Sequence, residues 1–151
     1  MIFTSKRSEL LEAVQNLSRI VTKTSQPVLE GILLSAERGK VTLVSYNLEM
    51  SMKKEIYAKC DEAGDIVIGA RLLADILRRM NGVQVEIETD DKLNCHIKSG
   101  EATFDIMGMA ATDFPEIPTV SQNNSFEIEA KLLAQMKKGT AFAAAQNEGN
   151  K

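Results

Sequence analysis

The 151-residue chain contains one histidine, His96, and two cysteines, Cys60 and Cys95. A metal cage or a Ser-His-Asp arrangement would have to be assembled around that single imidazole. Cys95-His96 stands in a stretch where apolar and polar residues alternate, and alternation along a strand sends neighbouring side chains to opposite faces. The pair therefore reads as a buried thiol beside an exposed imidazole. Asp61-Glu62 and Asp90-Asp91 fall in turn-like segments, where solvation alone accounts for them. No glycine loop with phosphate-cradling spacing is present. The expectation is no catalytic constellation, no metal and no cofactor.

Basic residues carry more chemistry in their spacing. Arg71 and Arg78 are separated by two helical turns and share one face, with Asp75 between them and Arg79 alongside. Lys137 and Lys138 hold the corresponding place in a later segment, and Lys23 follows an earlier one. The segments expected to be helical, 5–23, 70–82 and 130–142, contain ten basic residues (Lys6, Arg7, Arg19, Lys23, Arg71, Arg78, Arg79, Lys131, Lys137, Lys138) and three acidic ones (Glu9, Glu12, Asp75). They carry +7, which leaves -10 on the rest of a chain whose net charge is -3. Such sorting matters more than the net value. Flexible cations with no base-reading element suit sequence-independent contact with phosphates. Aromatic side chains interleaved for stacking on single strands are lacking, so duplex is the expected partner.

These cations must be positioned by a repeated unit. Ala70-Arg71-Leu72-Leu73-Ala74-Asp75-Ile76 returns as Ala130-Lys131-Leu132-Leu133-Ala134-Gln135-Met136, and Glu9-Leu10-Leu11-Glu12-Ala13-Val14 is a looser first copy. Each follows a short apolar run, Met1–Phe3, Ile66–Ile68 or Phe126–Ile128, and self-similarity at a fixed spacing marks a repeated structural unit. Ser5 is the expected cap of a first helix whose stripe is Leu10, Ala13, Val14, Leu17, Ile20 and Val21. Leu73, Ile76, Leu77 and Met80 form the second stripe, and Asn81-Gly82 its stop. Alternating runs predict strands at Ile32–Ala36, Val41–Tyr46, Met50–Ala58, Val83–Ile87, Leu93–Ile97 and Ala102–Ile106, with a loop at Cys60–Asp65. The methionines Met50, Met52, Met107 and Met109 are expected to fill core. The fold class is α+β: two strand-helix-three-strand repeats, with an antiparallel sheet backing two helices. A linker is expected over Gly108–Asn124, then a third strand at Ser125–Ala130 and a third helix at Lys131–Ala143. The apolar Leu132, Leu133, Met136 and Phe142 would need a partner surface, which reads as a fragment of a longer protein.

Hydrophobic residues make up 44% of the chain and charged residues 26%, an ordinary soluble composition. No run reaches the roughly eighteen apolar residues of a bilayer span. Lys6, Arg7 and Glu9 interrupt any leader-like start. The expectation is a cytoplasmic protein with reduced thiols and no membrane partner.

Over its whole length the chain resembles the bacterial sliding clamp family, the beta subunit of DNA polymerase III. The pieces that carry the resemblance run in order along the chain: Met1-Ile2-Phe3-Thr4 with Glu9-Leu10-Leu11, then Pro27-Val28-Leu29 with Gly31-Ile32-Leu33-Leu34. Asn47-Leu48-Glu49, Ala70-Arg71-Leu72-Leu73 and Lys98-Ser99-Gly100 follow, and Asp113-Phe114-Pro115-Glu116-Ile117-Pro118 is the most distinctive. The resemblance implies a DNA-clamp domain at 1–118, complete, and at 119–151 a linker with the opening strand and helix of a truncated second domain. It implies a homodimeric ring of three-domain subunits whose helices face duplex DNA. The replicative polymerase and the clamp loader would bind through domains outside this chain. It implies DNA-facing roles for Lys23 and Arg71, to which the basic spacing adds Arg78, Arg79, Lys137 and Lys138. Phe104, with Ile106 on the same edge strand and Leu72, would belong to the subunit interface. The chain departs from the family pattern at Tyr46-Asn47, and at Leu72 where a basic residue is common. The function implied is a non-catalytic processivity factor of the replicative polymerase. Two alternatives of other classes stand beside it, a protein-interaction scaffold using the acidic strands and a nucleic-acid-processing enzyme domain.

Overall fold

In the computed structural model, which describes residues 1–118 and 126–143, the stripe Leu10, Ala13, Val14 and Leu17 is the buried face of α1 (Arg7–Leu17). Leu73, Ile76, Leu77 and Met80 repeat it in and just beyond α2 (Ala70–Arg79). The strands are β1 (Ile2–Lys6), β2 (Gly31–Glu37), β3 (Lys40–Tyr46), β4 (Ser51–Glu62), β5 (Gly64–Gly69), β6 (Gln84–Thr89), β7 (Asn94–Ser99) and β8 (Ala102–Met107). They lie antiparallel in the order β5-β2-β3-β4-β1-β6-β7-β8. The two strand-helix-three-strand repeats are therefore present, and both helices pack on one face of the sheet through a common core with Phe3, Leu34, Leu43, Ile66, Ile87 and Ile97. Each such fully buried side chain contributes about 1.5–3 kcal/mol relative to exposure.

The pairing exchanges strands between the repeats. β1 opens the first repeat but lies beside β6 of the second, Phe3 opposite Ile87. β5 opens the second but lies beside β2 of the first, Leu33 opposite Val67. β4 is 12 residues long and joins β3 to the exchanged β1. Its first half pairs with β3 and its second half with β1. At the equivalent place beyond β8 the chain turns onto β5, where Val67 and Met109 exchange backbone hydrogen bonds of 3.0 and 2.8 Å. Glycine at 108 suits the crossing, since a Cβ there would stand 2.8 Å from Ile66 Cγ1 in the core and 3.1 Å from the Val67 carbonyl oxygen.

Much of the expected linker belongs to this layer. Phe114 is buried with Leu29, Val44, Tyr46 and Val67 in a second, smaller core. The Asp113-Phe114-Pro115 motif is thus packed against the domain rather than running free. The part of the linker at 119–124 lies outside the described residues.

Several boundaries differ from expectation for local reasons. α1 stops at Leu17, because Ser18 Oγ donates to Val14 O at 2.6 Å and the next amides bond three residues back, which tightens the last turn. Ser5 caps nothing: it is buried in β1 and its Oγ has no partner among the described residues, while Lys6 holds the cap position. Cys60–Asp65 is not a loop, for β4 runs to Glu62 and β5 starts at Gly64. Gly82 does not end α2 by a left-handed turn. It permits close approach, since a Cβ would lie 2.3 Å from Ser99 Oγ and 2.7 Å from the Gly100 amide nitrogen. Met50 and Met107 are exposed rather than core. The Cys95-His96 reading stands: Cys95 is fully buried and His96 exposed. Burial pushes the Cys95 thiol up to about 11, so it is inert at neutral pH.

The chain divides into two compact units, Met1–Ile117 and Pro118–Lys151. In the second, α3 (Ala130–Thr140) begins one residue earlier than expected and gives way to a 3-10 turn at Ala141–Ala143. No strand forms over Phe126–Glu129, because no ladder partner exists for it among the described residues. Leu132, Leu133, Met136 and Phe142 are exposed.

Candidate nucleic-acid interface

α2 sorts its side chains sharply. Ala70, Leu73, Ala74, Ile76 and Leu77 are buried, while Arg71, Leu72, Asp75, Arg78 and Arg79 are exposed. The exposed row borders α1, and Gln15 and Ser18 of that segment line one shallow groove with Arg71, Ala74, Asp75 and Arg78. Arg71 also lines a second hollow with Val21, Thr22, Lys23, Glu30, Gly69, Ala70 and Leu72. Lys23 and Arg71, from different repeats, thus converge on one hollow, and Arg71 and Arg78 on the next. Arg78 Nη1 is held 2.7 Å from Asp75 Oδ1, both more than half exposed. Arg71 and Arg79 have no salt bridge among the described residues.

Two cations counted with the helices do other work. Arg7 is half-buried, and its Nε donates to Gly82 O at 2.9 Å and its Nη1 to Leu77 O at 3.0 Å. It caps the Leu77 carbonyl in the last turn of α2, where a positive charge is favoured, and ties down the chain just beyond it at Gly82. Lys6 ends β1 and pairs with Glu9 at 3.0 Å. The helix face is therefore less positive than composition suggested. Its exposed cations in this unit are Arg19, Lys23, Arg71, Arg78 and Arg79. Of the carboxylates beside them, Glu12 is engaged by Lys54 at 2.7 Å, a hydrogen bond that lowers the Glu12 pKa.

The far side of the sheet mixes signs. Glu55 takes hydrogen bonds from Lys40 and Lys53, which lower its pKa, and Lys59 pairs with Asp61 at 2.9 Å. His96 on β7 pairs with Asp105 on β8. That hydrogen bond raises the imidazole above its usual 6.5. A raised folded-state value favours the protonated form, so the small stabilisation is present below the unfolded value and fades as pH rises through the folded one. An NMR titration of His96 should show a midpoint above the ordinary value, and Asp105→Asn should bring it back. An unchanged midpoint in that variant would remove the pair.

The remaining site residues fall in separate places. Lys137 and Lys138 are exposed in the last turn of α3, in the second unit. Leu72 is exposed on α2 at 49%. Phe104 and Ile106 are partly buried on β8, the last strand of the sheet, and pack against the main core. Sequence reasoning passed over Gln15, Ser18 and Glu30 as site residues, since polar residues on an outer face give no signal of which neighbour will share their groove. No group of three or more His, Cys, Asp or Glu residues able to hold a metal exists among the described residues. No helix among them is long and apolar enough to cross a membrane.

Residues 1–118 match the family described as the DNA polymerase III beta subunit, N-terminal domain. The chain is 28% identical over 158 aligned residues to the beta sliding clamp of Bacillus subtilis, covering 98% of this chain and 42% of that protein. A crystal structure of a putative DNA polymerase III beta subunit from Eubacterium rectale superposes with a TM-score of 0.92 at 30% identity, over 100% of this chain and 42% of that one. The Bacillus subtilis clamp structure superposes with a TM-score of 0.93 at 27% identity, over 99% and 42%. The chain thus spans less than half the length of the relatives it matches.

Proposed function

Since the chain belongs to the DNA polymerase III beta subunit family, with its N-terminal domain at residues 1–118, we propose that it is the leading part of a sliding clamp, a ring that encircles duplex DNA and holds the replicative polymerase on it. Residues 1–118 are its first domain, and 119–151 a linker and the opening helix of a second. The observation that most supports this reading is the convergence of Lys23, Arg71 and Arg78 on adjoining hollows along one helical face, backed by an unbroken sheet. Sparse, flexible cations on an open surface make contacts that form and break readily. A closed ring needs no more, because escape requires the ring to open. Strong contacts would only add friction to sliding.

In this reading Lys23, Arg71, Arg78 and Arg79 face DNA, with Lys137 and Lys138 doing so from the next domain. Leu72, Phe104 and Ile106 belong to the contact between two subunits of a homodimer. Chemistry is left to the polymerase, which together with the clamp loader binds parts of the protein beyond this chain, in the cytoplasm. The test uses topology. Fused to the part of the Bacillus subtilis relative that this chain does not span, and loaded enzymatically, the protein should stay on nicked circular duplex and leave when the circle is linearised. Equal retention on both forms, or on neither, would refute the clamp reading.

A further inference from the structure

A carboxylate in the groove that Arg71 and Arg78 share is the feature that phosphate contact leaves unexplained. Asp75 lies between Arg71 and Arg78 on the exposed row of α2, and its Oδ1 holds Arg78 Nη1 at 2.7 Å. All three line the same hollow with Gln15, Ser18 and Ala74. The pair adds little to stability. Exposed ion pairs of this kind are among the weakest contributors to folding, and each partner here is 58% exposed. For the same reason the pair is easily opened by a competing anion.

We propose that Asp75 is a built-in competitor for phosphate: it occupies Arg78 between encounters and releases it to the duplex only in exchange. The inference rests on the reading of this face as the duplex-facing wall and adds a function for its acidic member. A guanidinium leaving Asp75 for a phosphate oxygen trades one charge-assisted hydrogen bond for another of the same kind. Each contact then forms with little net gain and breaks with little net loss. Asp75 also repels the backbone that Arg71 and Arg78 attract. Both effects hold the affinity of the wall down, which is what a surface that must slide requires. Arg71 and Arg79, with no salt bridge among the described residues, supply the standing attraction that keeps the wall basic.

Asp75→Asn tests this in the 151-residue chain. The probe is a fluorescently labelled duplex of about thirty base pairs, with anisotropy read from low to moderate sodium chloride. A neutral amide in place of the carboxylate cannot hold the guanidinium as an ion pair, so Arg78 becomes a full-time phosphate ligand. Binding at low salt should tighten about three- to tenfold, and the plot of log affinity against log salt should steepen by about one unit. Glu86→Gln is the control for net charge. Glu86 is exposed on β6, on the side of the sheet away from the helices, and its neutralisation should leave both quantities unchanged. Equal tightening in the two variants would overturn the inference, because the effect would be one of overall charge. Unchanged or weaker binding in Asp75→Asn, while Arg71→Glu still weakens the wild type, would overturn it too and leave the duplex-facing reading standing. Duplex binding that does not depend on Arg71 would remove that underlying reading and the inference with it.

Discussion

With Arg71→Glu and Arg78→Glu combined, duplex affinity at low salt should fall on the order of a hundredfold, and the salt dependence should become shallower by about one unit, the standing contact of Arg71. Both side chains are exposed on the outer row of α2 and line one groove, so the substitution removes the standing phosphate contact of Arg71, leaves Asp75 without its partner, and adds two repelling carboxylates. The change should be nearly silent in folding. Only the surface pair Arg78–Asp75 is lost, and such pairs contribute about 0–1 kcal/mol. Thermal unfolding of the variant should therefore stay within a few degrees of the parent, which separates an effect on binding from one on structure. In the fused protein, the proposed clamp function predicts that the same variant shortens the products of primer extension in a single encounter. Undiminished duplex binding by the double variant would move the interface away from this face.

Leu73→Ala should be strongly destabilising, costing about 3–4 kcal/mol and lowering the melting temperature of the domain by roughly 12–16 °C. Leu73 is fully buried where the helix meets the sheet, and truncation there leaves a cavity in a close-packed interior. Leu10 holds the equivalent place in α1 and is also fully buried, so Leu10→Ala should cost about the same. Chemical denaturation measures both. A cost below about 1 kcal/mol at either position would mean that the core there is not close-packed.

The strands were legible because inward and outward residues alternate over a half-buried sheet, and β2, β3 and β6 to β8 lie within a residue or two of the sequence reading. The buried stripes of α1 and α2 were legible for the same reason with a different period. Three things were not. The end of α1 depends on Ser18 bonding its own helix, a choice that the apolar Ile20 and Val21 disguised. The exchange of β1 and β5 between repeats leaves no local mark, since an edge and an interior strand of this length have the same pattern. Gly108 was read as linker, yet it is where the chain crosses onto β5.

The site divides similarly. Arg71 and Arg78 announce a shared face by spacing alone. That Lys23 meets Arg71 depends on how the turn after α1 lies against α2, which is tertiary information. Arg7 was misjudged because composition cannot distinguish a guanidinium that meets solvent from one that closes a helix end. The outer face of the sheet, expected to be acidic, carries both signs, paired across strands at Lys40–Glu55 and along β4 at Lys59–Asp61.

Ala63 alone stands between β4 and β5, so the two repeats are joined as tightly as covalent geometry permits while each holds a strand of the other. Neither can mature by itself on the ribosome. β1 emerges first and must wait unpaired on one side until Gln84–Thr89 has been made, and β5 must wait for Met109. Such distant partners make assembly slow relative to local structure, and the interval before closure is when the nascent strands are open to other chains.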